Sequence, residues 1–201
     1  MNKFNFQKNI NKTIKIGSSN RGFTIVETLV AIFILLLSIT GPLAIAQSGL
    51  RAAFLSRDQV TAFYLAQDAM ESIKNVRDDN LIAGIWNASD RGTWTKGLAN
   101  CFSGSGCTVD TLSDVLITAK CNTEAVGCSL TNPLRFNLET KEFGISETNT
   151  EKSKFSRVVF INTTNRDNEI EVTVKVSWVT HNQLGEREIE VREYMSNWLG
   201  V

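Results

Sequence analysis

From Leu29 to Ala46 the chain reads LVAIFILLLSITGPLAIA, 18 residues without a charge, and Phe23 to Val26 carry the apolar run upstream past a single acid, Glu27. About 18 to 20 such residues cross the hydrocarbon core of a bilayer as a helix. The first 22 residues hold Lys3, Lys8, Lys12, Lys15 and Arg21 and no acid. Positive flanks stay on the cytoplasmic side, so everything after Ala46 is expected outside.

Two ordinary explanations of such a run fit less well. Ala44-Ile45-Ala46 has the small-x-small form of a secretory cleavage site. Against a conventional signal stand the long polar leader, an apolar run exceeding the roughly 7 to 15 residues of a signal core, and Glu27, which has no task there. A simple anchor also leaves Glu27 unexplained, because a lone acid in hydrocarbon costs about 3 kcal/mol unless it finds a partner or snorkels to the head groups.

The stretch Gly22-Phe23-Thr24-Ile25-Val26-Glu27-Thr28-Leu29-Val30-Ala31 resembles the prepilin signature of type IV pilins and type II secretion pseudopilins. It combines a basic leader ending in Gly, then Phe-Thr, then Glu at the fifth position of the mature chain, then an apolar helix. The resemblance implies that a prepilin peptidase cuts between Gly22 and Phe23 and that the new Phe23 amino group is methylated, while the apolar helix is kept. Glycine suits the cut because a residue without Cβ lets a protease approach extended backbone closely. The same resemblance implies that the Glu27 carboxylate meets the Phe23 amine of an adjacent subunit. Losing one member of a buried ion pair costs about 3 to 5 kcal/mol, so Glu27 would act as a registry device.

The 201 residues suit one domain plus an appendage. Basic and acidic side chains balance at 21 each, but the leader takes a disproportionate share of the cations, so the remainder is mildly acidic. Such a body has no basic stripe to neutralise phosphates, which argues against nucleic-acid binding. Cys101, Cys107, Cys121 and Cys128 cluster in one Gly- and Ser-rich stretch. An even number in an exported domain points to disulfides, with the local pairing of 101 with 107 and 121 with 128 first among three connectivities. Zinc is the alternative, disfavoured because the spacings exceed the usual two to four intervening residues and no histidine is near.

Beyond Gln47 the helical period continues, with Ala62, Ala66, Ala69, Met70, Ile73 and Val76 on one stripe and Arg57, Asp58, Gln67, Asp68, Glu71 and Lys74 elsewhere. The pattern predicts one helix from about Phe23 to Arg77, ended by Asp78-Asp79-Asn80 and kinked or opened at Gly41-Pro42. Leu81 to Leu98, with Trp86 and Trp94, reads as irregular, its tryptophans covering helix and sheet. Three strands follow: Lys154 to Asn162, Glu169 to Thr180 and Glu186 to Tyr194. In the middle one Ile170, Val172, Val174, Val176 and Trp178 alternate with polar residues. Asn165 to Asn168 and His181 to Gly185 supply the hairpin turns. Phe155-Ser156-Arg157, the Val172 to Trp178 strand and the closing Ser196-Asn197-Trp198 are similar to the ends of minor pilins of the pilin-modification type.

The expected fold is α+β and pilin-like: a basic leader over 1–22, a membrane and assembly half of the helix over 23–48, and an extracytoplasmic domain over 49–201 whose antiparallel sheet packs on the helix. His181, the single histidine, sits in a turn with no nucleophile motif around it, so an enzyme is not expected, nor a cofactor or metal. Asp78-Asp79 lacks the interleaved acids and glycine turn of a calcium loop, and no acid-rich loop supports the calcium site that would favour a pseudopilin. The glycosylation-like triplets Asn87-Ala88-Ser89 and Asn162-Thr163-Thr164 are assigned no role. The first functional expectation is a filament subunit, a minor pilin in adhesion, motility or DNA uptake. Its partners are prepilin peptidase and other pilin subunits, and it sits in the cytoplasmic membrane before assembly and on the cell surface after. A pseudopilin of a secretion or competence system is the alternative, and a membrane-tethered binding module presenting its disulfide loops is a third.

Overall fold

In a computed structural model the described residues are 22–86, 94–112, 117–122, 124–146, 149–164, 166, 168–180 and 185–199. The chain divides into two units, Met1–Leu50 and Arg51–Val201. In the first, the described part is helical from Ile25 onward and every residue from Gly22 to Leu50 is exposed. Helix α1 (Ile25–Trp86) continues through Pro42. The leader residues 1–21 lie outside the described residues, as do His181 and the triplet at Asn87.

The second unit is built on a five-stranded antiparallel sheet. Its strands are β1 (Cys107–Asp110), β2 (Ile117–Lys120), β6 (Phe155–Thr163), β7 (Glu169–Val179) and β8 (Glu186–Ser196), in the order β2-β1-β6-β7-β8. The register of β6 on β7 runs from Phe155 opposite Trp178 to Thr163 opposite Ile170, and that of β7 on β8 from Ile170 opposite Met195 to Val179 opposite Glu186. A smaller sheet of β3 (Arg135–Asn137), β4 (Phe143–Gly144) and β5 (Thr150–Lys152), ordered β4-β3-β5, leans on it. An aromatic chain joins the two, with Phe143 edge-on to Phe155 at 5.9 Å and Phe155 beside Trp178 at 6.2 Å.

The alternation read from β7 holds in space: Ile170, Val172, Val174, Val176 and Trp178 are buried and form one core with Ala62, Leu65, Ala66, Ala69, Met70 and Ile73 of α1. Small residues on α1 let the helix approach the sheet. Each fully buried valine or isoleucine contributes roughly 1.5 to 3 kcal/mol relative to an exposed one. The three strands expected after Lys154 are present within a residue or two at each end.

Three features depart from the sequence reading. The helix does not end at Asp78-Asp79-Asn80 but runs to Trp86, because tertiary contacts outweigh the weak helix propensity of Asp and Asn. Leu81 is buried, Asn80 Nδ2 donates to the carbonyls of Trp94 and Lys96 at 3.1 and 2.9 Å, and Asp78 accepts from Arg77 and the Trp198 indole. Asp58 lies not on the polar side of the helix but in the buried row, where the Lys154 ammonium pairs with it. Finally, β1 to β5, of two to four residues each, are too short for alternation to announce them. Trp94 is buried as expected, while the Trp86 side chain lies outside the described residues.

Candidate functional site: the head of the apolar helix

Gly22, Phe23 and Thr24 lead into α1, and Thr24 caps it. Its hydroxyl oxygen accepts the backbone N–H of Glu27 at 3.2 Å, and its carbonyl accepts that of Thr28 at 3.1 Å. Thr24 and Glu27 have the Thr-x-x-Glu spacing of a capping box, a signal that the sequence carried and the reading above missed. Glu27 also lies in the first turn, where the positive end of the helix dipole favours an anion. Phe23 and Glu27 are both exposed.

The apolar stretch satisfies its own polar groups. The hydroxyls of Thr28, Ser38, Thr40 and Ser48 each donate to the carbonyl three residues back, at 2.8 to 3.1 Å. Hydrocarbon offers no alternative partners, so this local closure is what lets hydroxyls sit in a spanning helix. Pro42 has no N–H, and Gly41 beside it has open space where a Cβ would stand. Among the described residues one helix is long and apolar enough to cross a membrane.

The cysteines lie far along the chain from this head and close disulfides 101–107 and 121–128, with Cα separations of 4.6 and 5.6 Å. Cys101 sits in a short 3₁₀ turn (Ala99–Phe102) and Cys107 opens β1. The Gly106 carbonyl accepts the Cys121 N–H at 3.0 Å, so both bridges gather at one end of the β1–β2 hairpin. Gly127 reaches φ +89° beside Cys128, and a Cβ there would meet Thr108 Oγ1 at 2.7 Å, so only glycine fits without displacement. Its carbonyl accepts the Arg157 N–H at 2.7 Å.

Arg157 is the residue whose role the sequence reading missed. It occupies an inward position on β6 and its side chain is fully buried. Its guanidinium donates to the carbonyls of Leu65 and Val109 at 3.0 and 2.8 Å and pairs with Asp68 at 2.9 Å, tying α1 to β1 and β6. Burial pulls its pKa down, while Asp68 and Asp110 oppose the shift. Its signal was an arginine in phase with Val159 and Ile161. Among the described residues no group of three or more His, Cys, Asp or Glu is placed to hold a metal.

Residues 17–41 match the family model of the prokaryotic N-terminal methylation motif. No curated protein and no solved structure matches the chain. That motif stands at the head of an apolar helix whose later half packs on an antiparallel sheet, an α+β, pilin-like architecture.

Proposed function

We propose that this chain is a structural subunit, a minor pilin, of a type IV pilus-like filament. Prepilin peptidase cuts between Gly22 and Phe23, the Phe23 amine is methylated, and the subunit leaves the membrane to join other pilins. The observation that carries this reading is the methylation motif over 17–41 together with an acid placed on an otherwise bare apolar helix. Cleavage creates an ammonium at the helix start, where the dipole is already positive and repels it. Glu27, in the first turn, compensates that end within the free subunit, and in a filament it receives the amine of a neighbour. Both charges are thereby neutralised as water leaves.

The deciding measurement is the intact mass and N-terminal sequence of the protein from native membranes, with and without prepilin peptidase. A start at N-methylated Phe23 that disappears without the peptidase is the expected result. A start at Gln47, or an uncut chain in both strains, overturns it. Co-purification with a pilus rather than with a secretion complex separates the minor pilin from a pseudopilin.

A further inference from the structure

β8 is the outer strand of the five-stranded sheet: it bonds β7 along one edge, and no described strand lies along the other. An open edge is a row of unpaired amides and carbonyls, and an extended backbone added to it gains a ladder of hydrogen bonds. The two flanks of this edge differ in chemistry. Toward α1, Ile189 shares a groove of about 620 Å³ with Gln59, Val60, Phe63 and Tyr64. The last three are 53, 47 and 65 % exposed, more apolar surface than isolated positions explain. Beside it lies a second depression lined by Leu55, Gln59, Arg187, Ile189 and Trp178, whose buried indole N–H has no acceptor. On the opposite flank, Lys175 and Arg192 are shared among Glu171, Glu188 and Glu190, and Glu186 stands exposed nearby. Two cations among four carboxylates leave that face negative.

We propose that the free edge of β8 accepts an extended segment of a partner protein in which apolar and basic residues alternate. The apolar side chains enter the groove between α1 and β8, and the basic ones stand beside Glu186, Glu188 and Glu190. Strand alternation delivers the two kinds of side chain to opposite flanks in one pass. A second copy of this chain is the poorer occupant. Its own alternating strands, β7 and β8, carry five glutamates against Lys175 and Arg192 on the polar side, and pairing either with β8 adds net acid to an acidic face. The proposal uses no residue before Leu55 and so stands apart from leader cleavage.

The test uses the full-length processed protein in detergent micelles and three synthetic peptides of β8 length: alternating Val-Lys, alternating Val-Glu, and Val and Lys in two separate blocks. Hydrogen exchange of the solvent-facing β8 amides is expected to slow by about tenfold or more with the alternating Val-Lys peptide and to stay unchanged with the other two. Phe63→Lys, on a half-exposed site, is expected to weaken that binding by at least about tenfold while the exchange of β6 and β7 stays as in the parent. Equal protection by the block peptide overturns strand addition, and equal protection by Val-Glu overturns the charge match. No protection by any peptide overturns the docking edge itself.

Discussion

Glu27 and Arg157 each put a charge on an otherwise apolar row, and what Arg157 meets inside the domain explains it. For Glu27 the proposed partner is the Phe23 amine of a neighbouring subunit, and on that proposal Glu27→Ala is expected to be cleaved and membrane-inserted normally, since Gly22 is unchanged. The variant should enter filaments at least about a hundredfold less, as expected from losing a pair worth about 3 to 5 kcal/mol. Quantitative blotting of sheared filaments against membranes checks this, and normal incorporation would remove the pairing idea. For Arg157 the partners are internal. Arg157→Ala withdraws the guanidinium from two buried carbonyls and opens a cavity, and is expected to cost about 3 to 5 kcal/mol in denaturant unfolding. Asp68→Asn should cost only about 1 kcal/mol, because the Asp68 side chain is 48 % exposed and water replaces much of what it supplies. Both residues are visible in the sequence as phase errors, an acid in an apolar run and an arginine on an inward row. Only Glu27 was legible by resemblance, because the three groups that meet the Arg157 side chain are separated from it by 48 to 92 residues.

At the scale of elements, α1 and β7 carry their own evidence. About five turns of apolar sequence and a clean two-residue alternation specify a helix and a half-buried strand without reference to anything else. The end of α1 is different. Asp78-Asp79-Asn80 is a stop signal by propensity, and the helix passes through it because Asn80 and Leu81 are held from outside the helix. The Arg77 side chain, with the Trp198 indole, holds the Asp78 carboxyl below the usual carboxylate range. Across the sheet, Arg192 and then Lys175 depress Glu190, while Glu190 first and Glu188 next raise Lys175. A depressed carboxylate stabilises the fold above its unfolded pKa, and that contribution is lost as pH falls through the folded value. A raised lysine stabilises below its unfolded pKa, and its contribution goes as pH rises through the folded one. Melting temperature is therefore expected to be flat near neutrality, to fall below the ordinary carboxylate range and to fall again above the ordinary lysine range. Asp78→Asn should flatten part of the acid limb, with small amplitude because the site is exposed to water and salt.

For the whole molecule, the domain is tied together by two short covalent loops and one buried arginine as well as by its core. Closing loops this short removes roughly 2 to 3 kcal/mol of unfolded-state entropy per bridge. The exported protein is expected to show four thiols inaccessible to alkylation before reduction, and its melting temperature should fall by about 10 °C or more once reduced. Four freely reactive thiols would remove the argument. The local sequence by itself determined the apolar half of α1, its amphipathic half and the three long strands, because each is a periodic or compositional pattern that local chemistry reads directly. Cysteine spacing also favoured the local pairing among three. Tertiary structure alone decided the extension of α1 to Trp86, the burial of Asp58, the five short strands β1 to β5 and the reach of Arg157 to α1 and β1. Those features depend on backbone and side-chain partners distant in sequence, whose free energy appears only when the sheet has closed on the helix.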